Sequence, residues 1–119
     1  MKRRILIVED ELEVRELLQR GLSEDYDVVL AEDGFAGLTE ALVGYPDLDL
    51  VITDLNMPGI TGFELIENLP NGIPVIVISG YLDDSEFQDQ LEKIRPVATF
   101  HKPFLLADLK TSVEKALAN

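Results

Sequence analysis

The sequence has no cysteine, one histidine, few cations and no long apolar run, and each shortage narrows what the chain can be. Without cysteine, a disulfide framework and a thiolate metal centre are both impossible, which agrees with a reducing compartment. Only 10 lysines and arginines stand against 23 acids, for a net charge of −13. A surface of that sign repels nucleic acid phosphates and anionic lipid, so direct binding to nucleic acid or membrane is not expected. After Met1-Lys2-Arg3-Arg4 only four apolar residues precede Glu9, far short of a signal-peptide core or a membrane span. A soluble, cytoplasmic protein is the expectation. No repeat, low-complexity tract or linker is present, since Pro70-Asn71-Gly72 is too short for a linker and reads as a turn. The 119 residues, 46% of them apolar, suit one compact domain over 1–119.

What the chain does have is short apolar runs that each stop at a reactive residue. Ile5 to Val8 runs into Glu9-Asp10, Leu50 to Thr53 into Asp54, Val75 to Ile78 into Ser79, and Val97 to Phe100 into Lys102. The first three are continuous β-branched or leucine runs without polar alternation, the signature of strands covered on both faces. Helices must do the covering. Val14, Leu17, Leu18 and Leu22 recur at helical spacing, as do Leu106, Leu109, Val113 and Leu117. Weaker helical patterns lie between them. Phe35 to Val43 places Leu38, Ala41 and Leu42 on one side, Thr61 to Leu69 carries Phe63, Ile66 and Leu69, and Asp83 to Ile94 carries Phe87, Leu91 and Ile94.

With the shorter strand Asp27 to Ala31, strand and helix alternate five times, which predicts a parallel sheet with right-handed crossovers. All strand carboxyl ends then share one edge, where ligands bind in open α/β sheets. The fifth strand is less apolar and follows Pro96, which suits an edge position.

Glu9, Asp10 and Asp54 brought within about 4 Å of one another repel by roughly 4 kcal/mol per ionised pair at an effective dielectric near ~20. Something positive must relieve that. An all-oxygen set without His or Cys suits a hard divalent ion, foremost Mg²⁺, which keeps waters that a phosphate oxygen can displace. Lys102 adds a fixed positive charge and Ser79 a hydroxyl donor. A carboxylate in such company is equipped to accept a phosphoryl group, a transfer that needs positioning and charge neutralisation more than covalent help. Asp54 is the better nucleophile, because it stands alone after a central strand whereas Glu9 and Asp10 are adjacent and naturally share the ion.

Each residue alone has an ordinary explanation. Asp54 could form a turn, Asp10 could cap a helix beginning near Glu11, Ser79-Gly80 could start a loop, and Lys102 could be a solvated charge. All four ordinary explanations would have to fall on the same edge.

The same residues resemble the receiver domain of bacterial two-component response regulators. The resemblance spans the whole chain, through Ile5-Leu6-Ile7-Val8-Glu9-Asp10-Glu11, Asp54 followed by Asn56-Met57-Pro58-Gly59 and Gly62, Ser79-Gly80, and Lys102-Pro103-Phe104. It implies a flavodoxin-like, doubly wound sheet of five parallel strands in the order 2-1-3-4-5, flanked by five helices. It implies that Asp54 is the phosphoacceptor, Asp10 a direct ligand of Mg²⁺ (or Mn²⁺), Glu9 a ligand through water, and the Asn56 backbone carbonyl a further ligand. Ser79 and Lys102 would bind phosphoryl oxygens, and the Lys102-Pro103 bond would be cis. Asn56 and Tyr81 would influence the lifetime of the phosphate. The donor would be a sensor histidine kinase or phosphotransfer protein, and the output a downstream protein or a C-terminal effector domain. Such a protein is a phosphoacceptor that assists its own phosphorylation and dephosphorylation, not an enzyme acting on other substrates.

The chain departs from the family where a Tyr or Phe usually stands three residues before the lysine; here that residue is Thr99. Phe100 next to it alternates to the opposite face and is expected in the core. His101 is expected on the face away from phosphate, and the third helix is expected to be short. Three rivals stay open: a Mg²⁺-dependent phosphatase with an aspartyl nucleophile, a receiver-like interaction module that is never phosphorylated, and a nucleotide-binding module. The first usually has a second Asp two residues after the nucleophile, where this chain has Asn56. The last lacks a Gly-rich phosphate loop after the first strand.

Overall fold

Ile5, Leu6, Ile7 and Val8 are all fully buried, so the first apolar run is covered on both faces, as its lack of alternation predicts. The structure is a computed structural model and describes residues 2–44, 47–70, 72–80 and 85–118, the side chains of residues 86 and 87 excepted. Its elements alternate as β1 (Arg4–Val8), α1 (Leu12–Leu22), β2 (Asp27–Ala31), α2 (Gly34–Gly44), β3 (Leu48–Asp54), α3 (Gly62–Glu67), β4 (Val75–Ser79), α4 (Ser85–Ile94), β5 (Ala98–His101) and α5 (Leu106–Leu117). The strands form one sheet in the order β2-β1-β3-β4-β5, and every pair is parallel. This is the doubly wound order implied by the resemblance.

Alternate side chains of the same strands feed two cores. Ile5, Ile7, Leu50, Ile52, Ile76 and Ile78 point to one face and pack with Leu18 and Leu22 of α1 and Leu109 and Val113 of α5. Leu6, Val8, Val51, Val75 and Val77 point to the other and pack with Ala41 of α2, Phe63 and Leu65 of α3 and Leu91 of α4. Each fully buried Leu or Ile contributes about 1.5–3 kcal/mol over an exposed one, and this two-sided burial holds the strand ends rigidly in place. Among the described residues, no helix is long and apolar enough to cross a membrane.

The expected inward row of α2 needs correction. Ala41 is buried and Leu38 packs partly against the core, but Leu42 is 61% exposed. The buried face runs instead through Gly34, Gly37 and Ala41. A Cβ at Gly37 would lie 2.6 Å from Val8 Cγ2, so the helix approaches the sheet through glycine and turns Leu42 outward.

Helix α3 is short, with 6 residues. It starts at a reciprocal cap, the Glu64 N–H donating to Thr61 Oγ1 at 3.2 Å and the Thr61 N–H to Glu64 Oε1 at 3.4 Å, an arrangement that satisfies two otherwise free backbone donors. It stops before Pro70, which cannot continue a helix. The fourth helical pattern, expected from Asp83, is helical from Ser85; residues 81–84 and the Phe87 side chain lie outside the described residues. Strand β5 is an edge strand in which Ala98 and Phe100 are half-buried and Thr99 and His101 exposed.

Candidate functional site

Parallel order carries the reactive residues to one edge. Glu9 follows β1, Asp54 is the last residue of β3, Ser79 the last of β4, and Lys102 follows β5. The chain leaves β1 toward β2 and leaves β3 toward β4, so the loops part between these two central neighbours and open a crevice at the topological switch point. A groove of about 800 Å³ lies there, with Asp10, Glu11, Asp54, Asn56, Gly80 and Lys102 on its polar side and Val14, Leu17, Pro103 and Phe104 on its apolar side.

Lys102 ties the edge together. Its Nζ donates to Glu9 Oε1 at 2.5 Å, to Asp54 Oδ2 at 2.7 Å and to Glu11 Oε1 at 2.8 Å. The backbone holds that arm in place: the Lys102 N–H donates to the Ser79 carbonyl at 2.9 Å, and the Lys102-Pro103 peptide is cis, as the resemblance implies. Asp54 is steadied from its other oxygen, Oδ1, which accepts the Asn56 N–H at 3.1 Å. The loop after β1 is held by the Glu9 N–H donating to the Ala31 carbonyl at 3.0 Å and by Arg15 donating to the Glu9 carbonyl at 2.8 Å. Gly62 lets α3 start directly behind Asp54. A Cβ there would collide with the Asp54 carbonyl oxygen and stand 2.6 Å from Leu55 Cα.

Charge at this edge is unbalanced. Glu9, Asp54 and Ser79 are buried, while Asp10 and Glu11 are exposed at the rim. Carboxylate oxygens of Glu9, Asp10, Glu11 and Asp54 all lie within 4.8 Å of one another; among the described residues the ammonium that meets them is that of Lys102, with the Arg15 guanidinium on the Glu9 backbone carbonyl. Burial pushes the Glu9 carboxyl up to about 8, the Asp54 charge adds to the rise, and the Lys102 hydrogen bond opposes it. For Lys102, burial works to lower the pKa, but hydrogen bonds to Asp54, Glu11 and Glu9 prevail and hold it above the ordinary lysine value. Glu9 Oε2 is buried without a hydrogen-bond partner, a state that costs free energy unless a proton or a cation meets it. An all-oxygen cluster with one orphaned carboxylate oxygen fits a hard divalent cation.

The structure therefore brings together Glu9, Asp10, Asp54 and Lys102, with Asn56 beside them and Ser79 one strand away. Tyr81 lies outside the described residues. Asp10 does not cap α1: the N-cap is Glu11, whose side chain makes no capping hydrogen bond. Glu11 is the residue that sequence reasoning did not place in the site. Its only signal was its position as the third acid of a run, and it was absorbed into the start of a helix. Phe100 packs on the α1 and α5 side, with its ring 6.3 Å from that of Phe104, which is the core position expected for it. Thr99 and His101 share the exposed face of β5.

The model of the response regulator receiver domain matches residues 5–114. A probable transcriptional regulatory protein of Picosynechococcus is 36% identical over 117 residues, covering 91% of this chain and 46% of that protein. The chain spans about half the length of several transcriptional regulators it matches. Sporulation initiation phosphotransferase F of Bacillus subtilis is 30% identical over 121 residues, covering 98% of this chain and 95% of that protein. Among solved structures, a CheY-like receiver domain protein of Methanospirillum hungatei superposes with a TM-score of 0.88 at 26% identity, covering 98% of this chain and 94% of that one.

Proposed function

The chain belongs to the receiver-domain family of two-component response regulators, and on that premise we propose that Asp54 accepts a phosphoryl group and so switches the domain. One observation carries the assignment. Asp54 is the acid that ends a central strand, faces the groove and holds the Lys102 ammonium at 2.7 Å. An Asp54 carboxylate oxygen bonds to phosphorus as the bond from phosphorus to the donor's histidine nitrogen breaks; the electron pair of that bond returns to the nitrogen, leaving an acyl phosphate on the protein and, with the proton already on its other ring nitrogen, a neutral imidazole on the donor. The donor is a sensor histidine kinase or a phosphotransfer protein.

Lys102 and Ser79 orient the phosphoryl oxygens, and buried walls on both sides keep the carboxylate from swinging away. Glu9, Asp10, Asp54 and the Asn56 backbone carbonyl would hold Mg²⁺, with Mn²⁺ as a substitute. When bound, the ion neutralises negative charge on the phosphoryl oxygens and on the acid cluster. Phosphorylation shifts a pre-existing equilibrium and alters the surface of α4, β5 and α5, where a downstream protein or an attached effector domain reads it. Thr99 on that surface has no ring and cannot act as the usual aromatic switch. The site of action is the cytoplasm, and the domain itself neither binds nucleic acid nor turns over a separate substrate.

The test is intact mass after incubation with acetyl phosphate and Mg²⁺. The expected result is a gain of one phosphoryl group that Asp54→Asn abolishes. An unchanged mass with Mg²⁺ shown to be bound, or rapid multiple turnover of simple phosphomonoesters, would overturn the assignment.

A further inference from the structure

Resting on the phosphoacceptor reading, we propose that Glu11 is a positioning residue that restrains Lys102, occupying in the unphosphorylated protein the hydrogen bond that Lys102 must give to a phosphoryl oxygen. A lysine ammonium has three N–H donors and no acceptor. All three are engaged here, with Glu9 at 2.5 Å, Asp54 at 2.7 Å and Glu11 at 2.8 Å. An arriving phosphoryl oxygen can be bound by Lys102 only if one of these carboxylates lets go.

The three are not equally easy to release. The side chains of Glu9 and Asp54 are 0% and 6% exposed, whereas that of Glu11 is 60% exposed. Detaching Glu9 leaves a buried charge without its partner, and Asp54 must keep its contact with Lys102 until its own oxygen bonds to phosphorus, while detaching Glu11 returns a carboxylate to water. The Glu11 side chain makes no capping hydrogen bond to α1, and among the described residues its hydrogen bond is the one from Lys102. Glu11 is thus the replaceable partner, and its release sets a threshold that phosphorylation must cross. It acts through Lys102 and not on the phosphoryl group itself.

Length and charge separate this role from a general field effect. Glu11→Gln removes the charge, Glu11→Asp keeps it on an arm shorter by one methylene, and Glu13→Gln removes an exposed acid from the first turn of α1. Phosphorylation by acetyl phosphate is followed by intact mass at about 0.5 M salt, where fields between exposed charges are screened, and Mg²⁺ binding by calorimetry. Glu11→Gln and Glu11→Asp should both phosphorylate roughly two- to fivefold faster than the natural chain, the span set by an exposed ion pair. Glu13→Gln should match the natural chain, and the Mg²⁺ affinity of Glu11→Gln should stay within about twofold, since Glu11 is not among the proposed ligands. An unchanged rate in Glu11→Gln, or Glu11→Asp behaving as the natural chain, overturns the restraint. A fall of about tenfold in Mg²⁺ affinity also overturns it by making Glu11 a metal ligand. If the natural chain gains no phosphoryl group while these variants bind Mg²⁺ normally, the phosphoacceptor reading itself fails and the restraint with it.

Discussion

The sheet presents a groove at each end, and the two grooves are of nearly equal size but opposite electrostatic character. At the amino ends of the strands, about 810 Å³ is lined by Lys2, Arg3, Arg4, Asp27, Asp47 and Asp49 among others. There cations and acids pair off: Arg4 Nε lies 3.0 Å from Asp27, Arg3 3.5 Å from Asp49, and Arg4 Nη1 3.8 Å from Asp47, all with substantial exposure. At the carboxyl ends, one ammonium serves three carboxylates, a fourth stands close by, and a buried carboxylate oxygen has no partner. Size and number of charges therefore do not distinguish the proposed functional end. Imbalance and burial do, because a buried carboxylate oxygen without a partner is maintained at a cost that a proton or cation relieves.

Removing the central cation at each end should make the contrast largest. Lys102→Met takes from Glu9 Oε1 its 2.5 Å hydrogen bond and from Asp54 its ammonium, both in buried surroundings. Breaking a buried pair from one side costs about 3–5 kcal/mol, and this is the expected loss in urea unfolding at alkaline pH with a chelator present. The loss should shrink in acid, where Glu9 carries a proton. Equal losses at both pH values would mean that Lys102 acts as packing and not as counter-charge.

A pH series sharpens the same point with the natural chain. Glu9 has a folded-state pKa of about 8, above its ordinary value of 4.5, so the folded state binds the proton more tightly than the unfolded state. The resulting stabilisation is full below the ordinary value and is lost as pH rises through about 8. Without divalent ions, stability should therefore decline between those values, and Mg²⁺ should recover it at the alkaline end. A stability flat across that range in chelator would remove Glu9 as the strained member of the cluster.

How much of this was open to sequence reasoning follows from the range of each interaction. Glu9, Asp54, Ser79 and Lys102 were legible because each ends an apolar run, and a parallel sheet turns that local fact into a shared location. The strand order was not legible from periodicity, since runs buried on both faces carry no alternation to order them; it came with the family resemblance. Leu42 was misplaced because helical spacing does not register how closely Gly37 approaches Val8. Glu11 escaped because its side chain is directed by a residue 91 positions away, and nothing beside it in the chain records that contact.

The amino-end groove yields the smallest effect and the sharpest check on the comparison. Arg4 engages Asp27 and Asp47 with side chains 38% to 74% exposed, so the pairs share their field with water. Exposed ion pairs are worth about 0–1 kcal/mol, and Arg4→Ala should lose no more than that in urea unfolding and leave phosphorylation unchanged. The difference from the natural chain should also vanish near ~1 M salt, where the screening length falls to about 3 Å. A loss that persists in salt would show the Arg4 stem packing against the sheet. A slower phosphorylation would couple the two ends through β1, and the amino-end groove would then belong to the switch.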